Sequence, residues 1–371
     1  MKLLLLDQFS DMGGAQHGLF DLAVAIRDRG WRALAGLPGH GELFGRLEKL
    51  GIECRAIPCG PYHSGRKSAG DVARFLAGTP RLAGQIREME TDLGADLIYV
   101  NGPRLLPAVA WAKPRAPVLF HSHSFLYPGP IRSLAGRSLR RLNARVVGVC
   151  DFVAEPWRHW APPERISVIY NGVERPADFR RGESAGPPRI ACIGRIAPEK
   201  GQREFLQVAA LIHEKFPGAR FMIYGDVLFG DPGAQRYAEE VRAMAAALPV
   251  TFAGWVCNVF DALASIDLLL VPSAAHEATT RVILEAFAAG VPVVAMGAGG
   301  IPEVVSHGRN GYLASSVEEM AALTLDFLRK RSNLSDAAEE TWQRKFRLDR
   351  YRQEMTDLLK RTVGVSVSNN L

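Results

Sequence analysis

The 371-residue sequence contains no apolar run near the roughly 20 residues that a membrane-spanning helix needs. Its opening KLLLL is too short for the core of a signal peptide. Both absences place the chain, by expectation, in the cytoplasm. Cysteine is scarce: there are five, none in a Cys-x-x-Cys or other metal-ligand spacing. That excludes a zinc ribbon or a disulfide scaffold and fits reduced thiols. Cys54, Cys150, Cys192 and Cys257 fall in or beside apolar segments, so core packing is their expected role. No full GxGxxG occurs. The strand-like KLLLLD is followed by DMGGAQ and then a helix-like segment from His17 to Arg29; Gly13 and Gly14 permit close approach of backbone to a ligand without forming a dinucleotide fingerprint. Nor does the chain carry a recognised nucleic-acid module, so nucleic acid is not an expected partner.

The length calls for two domains. A stretch rich in proline and glycine at 171–188 is the expected linker. Apolar runs near 3–6, 33–37, 52–57, 97–100, 117–120, 146–149 and 166–169 precede it. Those near 189–193, 220–224, 250–253, 267–271, 292–295 and 311–313 follow, all alternating with helix-like segments. That alternation predicts two parallel sheets wound with helices. A last amphipathic stretch, about 336 to 361, has no strand after it.

Charge is uneven. Residues 1–175 hold 23 Lys and Arg against 16 Asp and Glu, a surplus of seven, whereas 176–371 hold 22 against 23. Arg132, Arg137, Arg140 and Arg141 cluster in one predicted helix, and Arg66 with Lys67 in a predicted loop. Such a surface suits an anionic membrane face or an acidic acceptor, and equally a solvated helix face.

The apolar run 266–273 reads as a buried parallel strand, which puts Glu277 in the loop leaving it and Glu285 in the helix predicted over 281–289, stopped by Gly290 and Pro292. Ligands of open α/β sheets bind outside the carboxyl ends of the strands, where both carboxylates fall. Acceptor-only carboxylates suit sugar or ribose hydroxyls. GRIAPEKG at 194–201 is a second strand-to-helix loop, ahead of a helix over Gln202–Lys215. There Gly194, Arg195 and Lys200 offer backbone N–H groups, a helix N-terminus and two cations to a diphosphate. The two glutamates also match a glycosidase's acid and base pair, a reading that leaves Arg195 and Lys200 without a task.

These motifs, with VVGVCDFVA at 146–154, IYNGVE at 169–174, IYGD at 223–226, FAGWV at 252–256, EATTRVILEAFAAGVPVVA at 277–295 and GGIPEVVSHGRNGYL at 299–313, resemble the retaining glycosyltransferases of family 4 over almost the whole chain. The resemblance implies a GT-B fold: two Rossmann-like α/β domains facing a central cleft, 1–175 for the acceptor and 176–345 for the nucleotide-sugar, with 346–371 crossing back to the first domain. It further implies that Arg195 and Lys200 neutralise the departing diphosphate, that Glu277 contacts the donor sugar, and that Glu285 takes the ribose hydroxyls. Gly13, Gly14, Gly194 and Gly225 line the donor site, and the base lies near Trp255 and Val256. PVLFHSHSFL supplies a histidine facing the donor, His123 first and His121 second; strand alternation puts both on one side. No Asp-x-Asp occurs, so cationic side chains are expected to replace a metal, and no cofactor is implied. Ala278, Thr279 and Thr280 depart from the family's small or glycine-containing loop and leave the sugar open.

The implied reaction is transfer from a UDP-sugar, or second a GDP-sugar, to a hydroxyl of a glycan or lipid-linked acceptor in surface polysaccharide or glycolipid assembly, at or near the inner membrane face. A nucleotide-sugar epimerase of similar fold and a non-catalytic nucleotide-sugar-binding protein are the alternatives.

Overall fold

Leu3, Leu4, Leu5 and Leu6 are all fully buried, yet they belong to two different hydrophobic cores. Alternate residues of a strand point to opposite faces, so a strand covered on both sides reads as one continuous apolar run. The structure, a computed structural model, describes residues 1–59, 69–182, 186–227, 232–273, 277–330 and 334–368. Arg66 and Lys67 of the expected basic surface lie outside them.

The chain divides into two compact units, one of Met1–Asn171 with Leu348–Leu371 and the other of Gly172–Arg347. In the first, β1 (Lys2–Asp7), β2 (Arg32–Leu37), β3 (Glu53–Ala56), β4 (Leu97–Asn101), β5 (Val118–Ser122), β6 (Arg145–Gly148) and β7 (Ile166–Val168) form a parallel sheet in the order β3-β2-β1-β4-β5-β6-β7. One face packs Leu4, Ile98 and Phe120 against Ile86, Val109 and Leu139. The other packs Leu3, Leu5 and Tyr99 against Leu22 and Ile26 of the helix Gly14–Asp28 and against Tyr351, Met355 and Leu359. Those last three come from the helix Leu348–Ser368, so the C-terminal helix completes the first unit's core.

The second unit holds β8 (Arg189–Ile193), β9 (Arg220–Tyr224), β10 (Val250–Gly254), β11 (Leu268–Val271), β12 (Val293–Met296) and β13 (Tyr312–Ala314), again parallel, in the order β10-β9-β8-β11-β12-β13.

One expectation is refined and three need correction. The amphipathic stretch 336–361 is two helices, Ser335–Lys345 and Leu348–Ser368. Between them Phe346 is buried and its carbonyl accepts from Val173 N at 2.9 Å, which draws the chain out of the helical path. The described part of the expected linker is packed rather than free. Arg175 bonds Glu339 at 2.7 Å and stacks over Trp342, and Arg181 donates to Gly290 O at 2.6 Å, all within the second unit. The first helix begins at Gly14, three residues before the expected His17. Cys257 is exposed, in the loop beyond the end of β10, and packs in no core. Among the described residues, no helix is long and apolar enough to cross a membrane.

Candidate active site

The strand order of the second sheet reverses between β8 and β11. Ligands of open α/β sheets sit at such a point, outside the carboxyl ends of the strands. The loop leaving β8 carries Gly194 to Lys200, and the chain beyond β11 reaches Glu277. Lys200 Nζ donates to Glu277 Oε1 at 2.7 Å, joining residues 77 apart in sequence, with side chains only 20% and 17% exposed. Glycine makes this approach possible. Gly201 has φ +72, and a Cβ there would lie 2.0 Å from Pro272 O. On the far side of Glu277, Gly299 has φ +59, and its Cβ would lie 2.0 Å from Glu277 O, which accepts from Gly300 N at 3.0 Å. The backbone of Glu277 is therefore gripped by the loop after β12.

The Gly194 loop is clasped from within. Gln202, read from sequence only as a helix start, is fully buried; its Nε2 donates to Arg195 O at 2.9 Å and its Oε1 accepts from Ala197 N at 3.3 Å. Arg195 pairs with Glu199 of the same turn. Glu285 pairs with Arg281 at 3.0 Å. Of the four charged residues singled out in sequence, then, the fold brings Lys200 and Glu277 together and gives Arg195 and Glu285 local partners. Thr279 is buried, while Ala278 and Thr280 are half-buried. Gly225, at the end of β9, has φ +146 and lies against the carbonyl of Gly194. Trp255, just past β10, is 54% exposed, and Val256 beside it is half-buried.

The order of the first sheet reverses between β1 and β4, and there too the two strand ends are joined. Asp7 Oδ2 accepts from Asn101 Nδ2 at 2.5 Å, and its carboxylate also accepts from Gln16 Nε2 at 3.0 Å and Phe9 N at 2.8 Å. Gly13 precedes the helix as its N-cap and Gly14 is the first helical residue, with open space where a side chain would begin. His121 lies in β5, fully buried, with Nδ1 at 2.5 Å from the Tyr99 hydroxyl. His123 is half-buried just beyond the strand, with Nε2 at 2.6 Å from Asn101 Oδ1, and the two imidazole centroids are 3.9 Å apart. Burial pushes His121 well below the usual imidazole range and His123 down to about 3, so both rings are neutral at pH 7. Asp7, Asn101 and Tyr99 were not singled out in sequence, and Gln16 only as the last residue of DMGGAQ. Asp7 and Asn101 had no signal but their place at strand ends, and Tyr99 in mid-strand had none.

Burial raises the Asp7 carboxyl from 3.8 to about 6, against the hydrogen bonds it accepts from Asn101, Phe9, Gln16 and Gln8. The folded chain thus holds this proton more tightly than the unfolded one. The associated stability is complete below about pH 4, falls as pH rises to about 6, and amounts to about 3 kcal/mol. Asp7→Asn is expected to lack this fall. In urea unfolding, the variant should gain on wild type by that order between pH 4 and 7; a constant difference would contradict it.

Residues 12–175 match the family described as Glycosyltransferase Family 4, and residues 187–330 the family described as Glycosyl transferases group 1. The spore coat protein SA of Bacillus subtilis is 27% identical over 60% of this chain, which spans 65% of that protein. The phosphatidyl-myo-inositol mannosyltransferase of Mycobacterium leprae is 27% identical over 345 residues, 87% of each chain. Among solved structures, HepE of Anabaena in complex with UDP-glucose superposes with a TM-score of 0.81 at 26% identity, over 97% of this chain and 99% of that one.

Proposed function

Since this chain belongs to the family 4, group 1 glycosyltransferases and has their GT-B fold, we propose that it moves a sugar from a nucleoside-diphosphate sugar to a hydroxyl of a glycan or lipid-linked acceptor, retaining the anomeric configuration and using cationic side chains in place of a metal. UDP is the favoured nucleotide and GDP the second. The observation that carries this reading is the Lys200–Glu277 pair at the switch point of the second sheet.

In the proposed reaction the bond from the anomeric carbon to the diphosphate breaks, and a bond to the acceptor oxygen forms on the same face. The acceptor's proton passes to a departing phosphate oxygen. Lys200 and Arg195 stabilise the charge that develops on that leaving group. Glu277 orients the Lys200 ammonium with one oxygen and takes a sugar hydroxyl with the other, so it is neither nucleophile nor base. Glu285 accepts from the ribose, and Trp255 offers an exposed ring to the nucleobase. HepE, crystallised with UDP-glucose, supports the choice of UDP.

A screen of UDP-, GDP- and ADP-sugars by thermal shift tests the donor. A ligand at a hundredfold excess over its Kd adds about 2.7 kcal/mol to the folded state. UDP-sugars are expected to raise Tm; a rise with GDP-sugars alone would replace UDP. The epimerase alternative predicts release of an altered sugar without any acceptor, which product chromatography detects.

The context proposed is surface polysaccharide or glycolipid assembly. The helix Pro130–Leu142 exposes Ile131 and Leu134 beside Arg137 and Arg141, a surface suited to peripheral contact with anionic lipid. Sedimentation with and without anionic vesicles checks that contact.

A further inference from the structure

Asn101 closes β4 beside β1, and the hydrogens of its amide can be placed without ambiguity. Its Nδ2 donates to Asp7 Oδ2 and, at 3.3 Å, to the carbonyl of Ala15. A carboxylate already taking bonds from Gln16 and Phe9, and a backbone carbonyl, both only accept. The amide nitrogen must therefore face them, and the oxygen must face the other way. That oxygen lies 2.6 Å from His123 Nε2 and 3.3 Å from the Tyr99 hydroxyl. An acceptor-only oxygen requires the hydrogen to be on Nε2, which leaves the lone pair of the neutral ring on Nδ1.

His121 Nε2 is buried with no partner. Were the Tyr99 hydrogen given to His121 Nδ1, the His121 proton would sit on Nε2 as an orphaned donor, at a cost of about 1–3 kcal/mol. With Tyr99 donating instead to Asn101 Oδ1, His121 Nδ1–H donates to the Tyr99 oxygen and only a bare lone pair is orphaned. Unpaired acceptors are tolerated better than unpaired N–H groups. Every donor in the chain from Asp7 to His121 is then satisfied, and Asn101 Oδ1 accepts twice.

We propose that Asn101, tied to Asp7, is a positioning residue that holds His123 as the Nε2–H tautomer and so makes His123 Nδ1 a hydrogen-bond acceptor for a substrate hydroxyl at the carboxyl edge of the first sheet. The inference rests on the transferase reading for its substrate, but not for its tautomer. It predicts selectivity: a substrate in which that hydroxyl is replaced by fluorine, which cannot donate, loses the contact, whereas an Nδ1–H histidine would keep one.

The test is long-range nitrogen–proton NMR of the whole chain with labelled histidine, the His123 signals being assigned by their loss in His123→Gln. Between pH 6.5 and 8 the expected pattern is a protonated Nε2 and a bare Nδ1. An Nδ1–H pattern in the wild-type protein overturns the proposal. Asn101→Leu, close to isosteric, is expected to give mixed tautomers and about a tenfold lower kcat, as loss of an outer partner of a functional histidine does, with the nucleotide-sugar KM within about twofold. Unchanged tautomer or unchanged kcat in a folded Asn101→Leu protein also overturns it. Should the leucine variant fail to fold, the wild-type spectrum decides. That spectrum is recorded without donor or acceptor, so an error in the proposed reaction leaves its outcome standing.

Discussion

Lys200→Ala is expected to lower the rate of sugar transfer by about 10² to 10³ while the chain stays folded, the size of loss that follows removal of one charge-stabilising donor in a preorganised site. Two effects must be separated, because Lys200 is also the counter-ion of Glu277 at 2.7 Å. Removing it leaves a carboxylate only 17% exposed without its partner. Such a loss costs about 1–3 kcal/mol, between the limits for surface and buried pairs. Adding Glu277→Gln to Lys200→Ala removes the stranded charge. If Lys200 served only Glu277, the double variant would regain stability and transfer sugar as well as Glu277→Gln alone does. The expected result is that stability returns while transfer stays far below that of Glu277→Gln. Arg195→Ala should act in the same direction with a smaller effect, since Arg195 is more exposed and already shared with Glu199. Wild-type transfer by both single variants would remove the diphosphate assignment.

The positions of the strands were legible because both sheets are parallel and covered on both faces. KLLLLD, LIYVN and LLLV are continuous apolar runs for that reason, and their carboxyl ends could be located to a residue or two. Knowing the ends located the loops, hence the elements that carry Lys200, Glu277, His121 and His123. What periodicity cannot supply is the partner across space. Lys200 and Glu277 are 77 residues apart, and Asp7 and Asn101 are 94 apart. Their meeting follows from the strand order at each switch point, which is a property of the sheet and not of any local window. The clasp of Gln202 on its own loop escaped because a glutamine at a helix start looks like an ordinary exposed polar residue. At Phe346 the apolar stripe continues on both sides, so periodicity alone does not mark a break there. Only the bond from Val173 N to its carbonyl distinguishes a junction from a helix interior.

Gly225→Ala should destabilise the second unit by about 3 kcal/mol or more, and the cause is backbone rather than side chain. Gly225 has φ +146, where an L side chain is strained by about 1–3 kcal/mol. Its added Cβ would stand 1.9 Å from the carbonyl oxygen of Gly194. Neither partner can yield cheaply. Gly225 N donates to Gly254 O at 2.8 Å and Gly194 N to Tyr224 O at 2.9 Å, so relief of the clash breaks bonds that tie the ends of β8, β9 and β10 together. Gly14→Ala is the matched contrast. It has open space, lies in the first turn of a helix and lacks a positive φ, so alanine there is expected to leave stability unchanged or raise it by up to about 1 kcal/mol. Any loss of transfer in Gly14→Ala must then come from crowding of a bound ligand. Loss in Gly225→Ala should instead track unfolding in calorimetry. A Gly225→Ala protein with wild-type Tm would mean that the β8 and β9 ends move apart at little cost, contrary to the bonds that join them.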